Sequence, residues 1–108
     1  MADKRQISVE ENGEILAEAT ISAPDENNDA RAEVTVAPGH HPSGTRQKMA
    51  DAVHEAVCDD NAGHLTATVP QGDAELVDRI RGHLSDVELR AAGATSIIEG
   101  TVNRADRD

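Results

Sequence analysis

Hydrophobic residues alternate with polar ones along the first third of the chain. In "QISVEENGEILAEATIS", Ile7 and Val9 alternate with polar neighbours, and so do Ile15, Ala17, Ala19 and Ile21. Strict alternation is the signature of a strand with one face buried. Asn12-Gly13 between the two runs tolerates positive φ at both positions, so the pattern predicts a β-hairpin. An acidic stretch, "APDENNDA" over 23–30, reads as a loop. "RAEVTVA" then turns Ala32, Val34 and Val36 to one side and Arg31, Glu33 and Thr35 to the other, which predicts a third strand.

The period changes after the turn "PGHHPSG". Met49, Val53, Ala56 and Val57 recur at helical spacing, which predicts a helix from about residue 45 to Cys58, capped by Ser43 or Thr45. "HLTATVP" returns to alternation, with Leu65, Ala67 and Val69 on one face. Leu76, Val77, Ile80 and Leu84 make the stripe of a second helix, from Asp73 at its cap to about Leu84. "VELRAAGATSIIEGTV" predicts two more strands around Ala92-Gly93. The order is β-β-β-α-β-α-β-β, an α/β (α+β) chain with a mixed, mostly antiparallel sheet and two helices. The central β-α-β-α-β run implies parallel strands joined by right-handed crossovers. One domain over 1–108 is expected, ordered from about 6 to 102, with a flexible tail at 103–108.

The two helices differ in how they treat their own dipoles. A helix start is partially positive and its end partially negative. The second helix has Asp73 and Glu75 first, with Arg79, Arg81 and His83 later. The first does the reverse, with Arg46 and Lys48 early and Glu55, Asp59 and Asp60 late. Each misplaced charge costs at most about 0.3–1 kcal/mol when exposed. Scattered surface charge, or a carboxylate elsewhere that pairs with Arg46, explains it without a ligand. A bound anion also explains it. Backbone N–H groups at a helix start cradle phosphate, and Gly44 permits close approach. The candidate binding residues are therefore His40, His41, Ser43, Gly44, Thr45 and Arg46.

Composition narrows the chemistry. The 108 residues carry 21 Asp and Glu against 10 Lys and Arg, a formal charge of −11. Such a field repels nucleic acid and anionic membranes, so neither is expected as a partner. Phe, Tyr and Trp are absent altogether, which removes base-stacking platforms and tyrosine general acids. Six Ile, five Leu and nine Val make a small core, and a ligand or a homodimer would add to its stability. Eight Arg against two Lys fits a GC-rich genome and salt adaptation equally. One cysteine, no long apolar run and no signal-peptide pattern lead to the expectation of a cytoplasmic protein.

The remaining reactive residues carry weak signals. The five histidines and Cys58 match no zinc spacing, so no metal is expected. His54 and Cys58 are the one pair at i, i+4 on a helix. Cys58 beside Asp59 and Asp60 lacks the electropositive surroundings of a nucleophile.

The strand, turn and helix "VAPGHHPSGTRQKMADAV", followed by "HLTATVPQGDAELVDRIRGHL", resemble the central half of a GNAT-type N-acetyltransferase over residues 6–102. That family holds pyrophosphate in a loop R/Q-x-x-G-x-G/A at a helix start. Gly44 matches the first glycine of the loop. His41 stands where the family has Arg or Gln, and Arg46 where it has Gly or Ala. The tyrosine often used to protonate the departing thiolate has no counterpart. The resemblance implies an acyl-CoA ligand, acetyl-CoA or another, and direct attack on its thioester by an amine, with no residue here nominated as base. A non-enzymatic, self-associating interaction module remains the alternative.

Overall fold

The computed structural model describes residues 4–37 and 44–103. The elements are β1 (Lys4–Glu11), β2 (Glu14–Ser22), β3 (Asp29–Val36), α1 (Thr45–Asp59), β4 (His64–Pro70), α2 (Ala74–Arg81), β5 (Leu84–Ala92) and β6 (Thr95–Val102). They form one six-stranded sheet in the order β1-β2-β3-β4-β6-β5. Only β3 and β4 are adjacent and parallel; every other neighbouring pair is antiparallel. The α+β architecture and element order are those expected from the patterning.

The first hairpin turns at Asn12 (φ 54°) and Gly13 (φ 83°), both in the left-handed region that a type I′ turn needs. Ala17, Ala19 and Ile21 point into the core. Ile15 was expected to join them, but it is 46% exposed. The register slips between Val9 and Glu10: Val9 pairs with Ala17, yet Glu10 pairs with Ile15. This bulge turns the start of β2 away from the buried face.

Both helices pack on one face of the sheet and against each other. That face presents Ala17, Ala19, Ala30, Ala32, Val34, Leu65, Ala67, Val69 and Ile98, to which the helices add Met49, Val53, Val57, Leu76 and Ile80. Five of the twelve strand residues in the core are alanine, and such short side chains let helices approach closely. The opposite face is polar, with Arg31, Glu33, Thr66, Thr68 and Glu99 in neighbouring strands.

Two boundaries differ from expectation. β3 begins at Asp29, because Asp29 and Ala30 pair with His64 and Leu65 rather than lying in the acidic loop. α2 ends at Arg81, with Gly82 as its C-cap. Leu84 continues the helical spacing in sequence but opens β5 opposite Val102. The expected flexible tail lies, beyond Asn103, outside the described residues. Asn103 itself is tied down, since its carbonyl accepts a 2.7 Å hydrogen bond from His54 Nε2.

Candidate functional site

The two parallel strands do not stay together. Their last shared rung is Glu33 with Thr68. Beyond it, β3 remains paired with β2 up to Val36, and β4 remains paired with β6 up to Pro70. Each strand follows its outer neighbour, so the sheet opens at their carboxyl ends. Both helices begin at this same end, α1 after β3 and α2 after β4. Openings at the carboxyl ends of parallel strands are where α/β sheets take ligands. Here Val36, Ala37, Pro70, Gln71 and Gly72 line a cavity of about 600 Å³, joined by Arg46 from α1 and by Asp73, Ala74 and Glu75 from the start of α2.

Gly44 is the N-cap residue, at φ 92°, and among the described residues no side chain makes a capping hydrogen bond to the helix. Thr45 is therefore not the cap: it is the first helical residue and is buried. The first intrahelical bond runs from Lys48 N–H to the Gly44 carbonyl at 2.9 Å, so the Arg46 and Gln47 amides lie ahead of it. No acidic residue stands in the first turn. A side-chain carbon added at Gly44 would meet nothing within 4 Å. His40, His41 and Ser43 lie outside the described residues.

Arg46 has a protein partner. Its Nε donates to both oxygens of Asp73, at 2.7 and 3.0 Å. Asp73 is also the N-cap of α2 and accepts from Leu76 N–H at 3.1 Å. One carboxylate thus serves two helix starts: it caps α2 and neutralises the cation at the head of α1. The hydrogen bond that Arg46 donates to Asp73 raises the Arg46 pKa above its ordinary value. Partial burial works against this, and the charges of Asp73 and Glu75 add to it. The acidic end of α1 is compensated in the same way, by Arg5 of β1, 3.0 Å from Asp60 and 4.0 Å from Asp59. Arg46, Asp59 and Asp60 are therefore matched across the fold rather than within the helix.

A second polar cluster lies where α1 passes the start of β5. The His54 and His83 rings stack with centroids 4.2 Å apart and planes 11° from parallel. His54 is only 7% exposed. A carbonyl can only accept, so the Asn103 bond assigns the His54 proton to Nε2. Cys58 Sγ, 3.5 Å from that nitrogen, can then only accept from it. His83 Nε2 likewise donates to Asp51 at 2.9 Å, and its buried Nδ1 has no hydrogen-bond partner among the described residues. The i, i+4 pairing of His54 and Cys58 was visible in the sequence; the arrival of His83 and Asn103 was not. Among the described residues, no three His, Cys, Asp or Glu side chains are grouped to hold a metal ion.

No family model matches the chain, and no curated protein matches it. Solved structures do. An acetyltransferase of the GNAT family from Streptococcus pneumoniae superposes with a TM-score of 0.65 at 13% identity, over 93% of this chain and 67% of that one. This chain has a GNAT-like fold. A putative acetyltransferase from Salmonella typhimurium, solved with its cofactor acetyl-CoA, gives 0.64 at 12% identity, over 94% and 65%. A phosphinothricin acetyltransferase of the GNAT superfamily from Sinorhizobium meliloti, in complex with acetyl-CoA, gives 0.61 at 11% identity, over 93% and 61%. The GNAT-like chain thus spans about two thirds of the length of these structures. Among its described residues, no helix is long and apolar enough to cross a membrane.

Proposed function

We propose that the opening between β3 and β4 binds the anionic end of an acyl-CoA at the start of α1, in a cytoplasmic protein. The observation that carries this reading is the acid-free start of α1, whose Arg46 lines a cavity at the carboxyl ends of diverging parallel strands. The residues present fit such a group at the backbone. Gly44 leaves open space, and the Arg46 and Gln47 amides precede the first helical bond. Helix starts of this kind favour phosphate through both their N–H groups and their dipole. The Arg46 side chain adds a charge-assisted donor. His40, His41 and Ser43 complete the proposed set from the sequence, and Thr45 contributes through its backbone. When bound, an acyl-CoA supplies an activated thioester that an amine acceptor attacks directly.

A thermal-shift titration tests this. Acetyl-CoA at 100 times its dissociation constant stabilises the protein by about 2.7 kcal/mol. Gly44→Glu, which places an acid at the helix start, is expected to abolish the shift, and Arg46→Glu to weaken it. No shift with CoA, ATP or phosphate at millimolar concentration would overturn the proposal.

A second reading, a non-catalytic module that self-associates, draws on two observations. Asp73 accounts for Arg46 without any ligand. Leu89, on the edge strand β5, is 52% exposed. Melting that depends on protein concentration but not on ligand would favour this reading.

A further inference from the structure

The N-cap of α2 does not require a carboxylate. Asn, Asp and Ser cap helices about equally well. What a carboxylate adds here is its grip on Arg46, and the form of that grip is informative. Both Asp73 oxygens are engaged by the single Nε–H. The two terminal nitrogens of the guanidinium make no hydrogen bond to another described residue. Arg46 lines the cavity, with its side chain 25% exposed. An end-on pair would have consumed the terminal nitrogens that recognise phosphate and carboxylate; this contact spares them.

We propose that Asp73 is a positioning residue, holding the Arg46 guanidinium by Nε so that its terminal nitrogens stand ready for the anionic group of the ligand. This rests on the acyl-CoA reading above. A free arginine surrenders rotamer freedom when it binds an anion, whereas a held one has already done so. The arrangement also gives Arg46 a role at a position where GNAT enzymes have a small residue. The cation reaches the site from the side, anchored by the neighbouring helix.

The test separates positioning from charge. Asp73→Asn and Asp73→Ser both remove the negative charge, and both keep a capping oxygen. Only Asn is long enough to accept from Arg46 Nε. CoA is titrated against each by calorimetry at fixed ionic strength, after circular dichroism has confirmed folding. Asp73→Ser is expected to bind CoA about fivefold more weakly than Asp73→Asn, the scale of one immobilised side chain. The difference is expected to vanish in an Arg46→Ala background. Arg46→Lys leaves α2 and its cap untouched, keeps the charge and loses the Nε–H contact; a weakening of similar size is expected. Equal affinities of Asp73→Ser and Asp73→Asn, or an Arg46→Lys protein that binds like the native one, would refute positioning while leaving the site itself intact. Failure of the native protein to bind CoA would instead overturn the site, and the proposal with it.

Discussion

Removing either partner of the Arg46–Asp73 pair should cost stability beyond the side chain deleted. A hydrogen bond to a charged group contributes about 1.5–3 kcal/mol. Arg46 is 25% exposed and Asp73 11%, so solvent screening lowers the expected coupling to about 1–2 kcal/mol. Asp73→Ala also strips the cap from Leu76 N–H, worth about 1 kcal/mol more. Its total is then about 2–3 kcal/mol, against about 1–2 kcal/mol for Arg46→Ala. For a chain of this size that corresponds to a fall in Tm of roughly 10–20 °C for Asp73→Ala. Without Trp or Tyr there is no useful intrinsic fluorescence, so urea unfolding is followed by far-ultraviolet circular dichroism. The double mutant closes the cycle. A coupling below about 0.3 kcal/mol would show that the contact contributes nothing net and that the charge order of α1 has another cause. A coupling unchanged in about 1 M salt would contradict the partial exposure on which the discount rests.

Three further outcomes follow from contacts elsewhere in the fold. Arg5→Ala removes an exposed pair with Asp60, and urea unfolding should register less than about 1 kcal/mol. Gly100→Ala would place its Cβ 3.0 Å from both Leu84 Cβ and the Ser85 carbonyl; overpacking of this kind costs about 1–3 kcal/mol, read as a lower urea midpoint. Leu89→Lys, on the exposed edge strand, should change stability by no more than about 0.5 kcal/mol. If self-association runs along this edge, light scattering should show the variant more monomeric than the native chain.

The elements were legible where local chemistry alone decides them. Asn12-Gly13 set the first turn, and the stripe of Met49, Val53, Ala56 and Val57 set α1 to within a residue of its end. What escaped was decided by partners distant in sequence. Ile15 faces outward because of a bulge whose cause lies in the pairing with β1. Leu84 keeps helical spacing from Ile80, but it is buried by β6 as a strand residue. At the candidate site, the oddity of Arg46 was visible in the sequence, and its partner was not. Asp73 lies 27 positions away and has an ordinary local role as a cap, so nothing marks it as the answering charge. His54 and His83 are likewise 29 positions apart, and only the fold stacks their rings.

The strand order has a kinetic consequence. Two antiparallel hairpins, β1–β2 and β5–β6, close through short turns and need little loop entropy. The parallel seam between β3 and β4 must wait for α1 to cross over, and β4 must then find β6 beyond α2. Contacts of long sequence separation form late. The seam that forms late is also the one that parts beyond Glu33 and Thr68. Folding should therefore assemble the opening between β3 and β4 last, and native-state fluctuations should breach it first. In hydrogen exchange, amides of the central β3–β4 rungs should exchange faster than those of the β5–β6 ladder, and slow on addition of acetyl-CoA. The opposite order would show that the seam nucleates the fold.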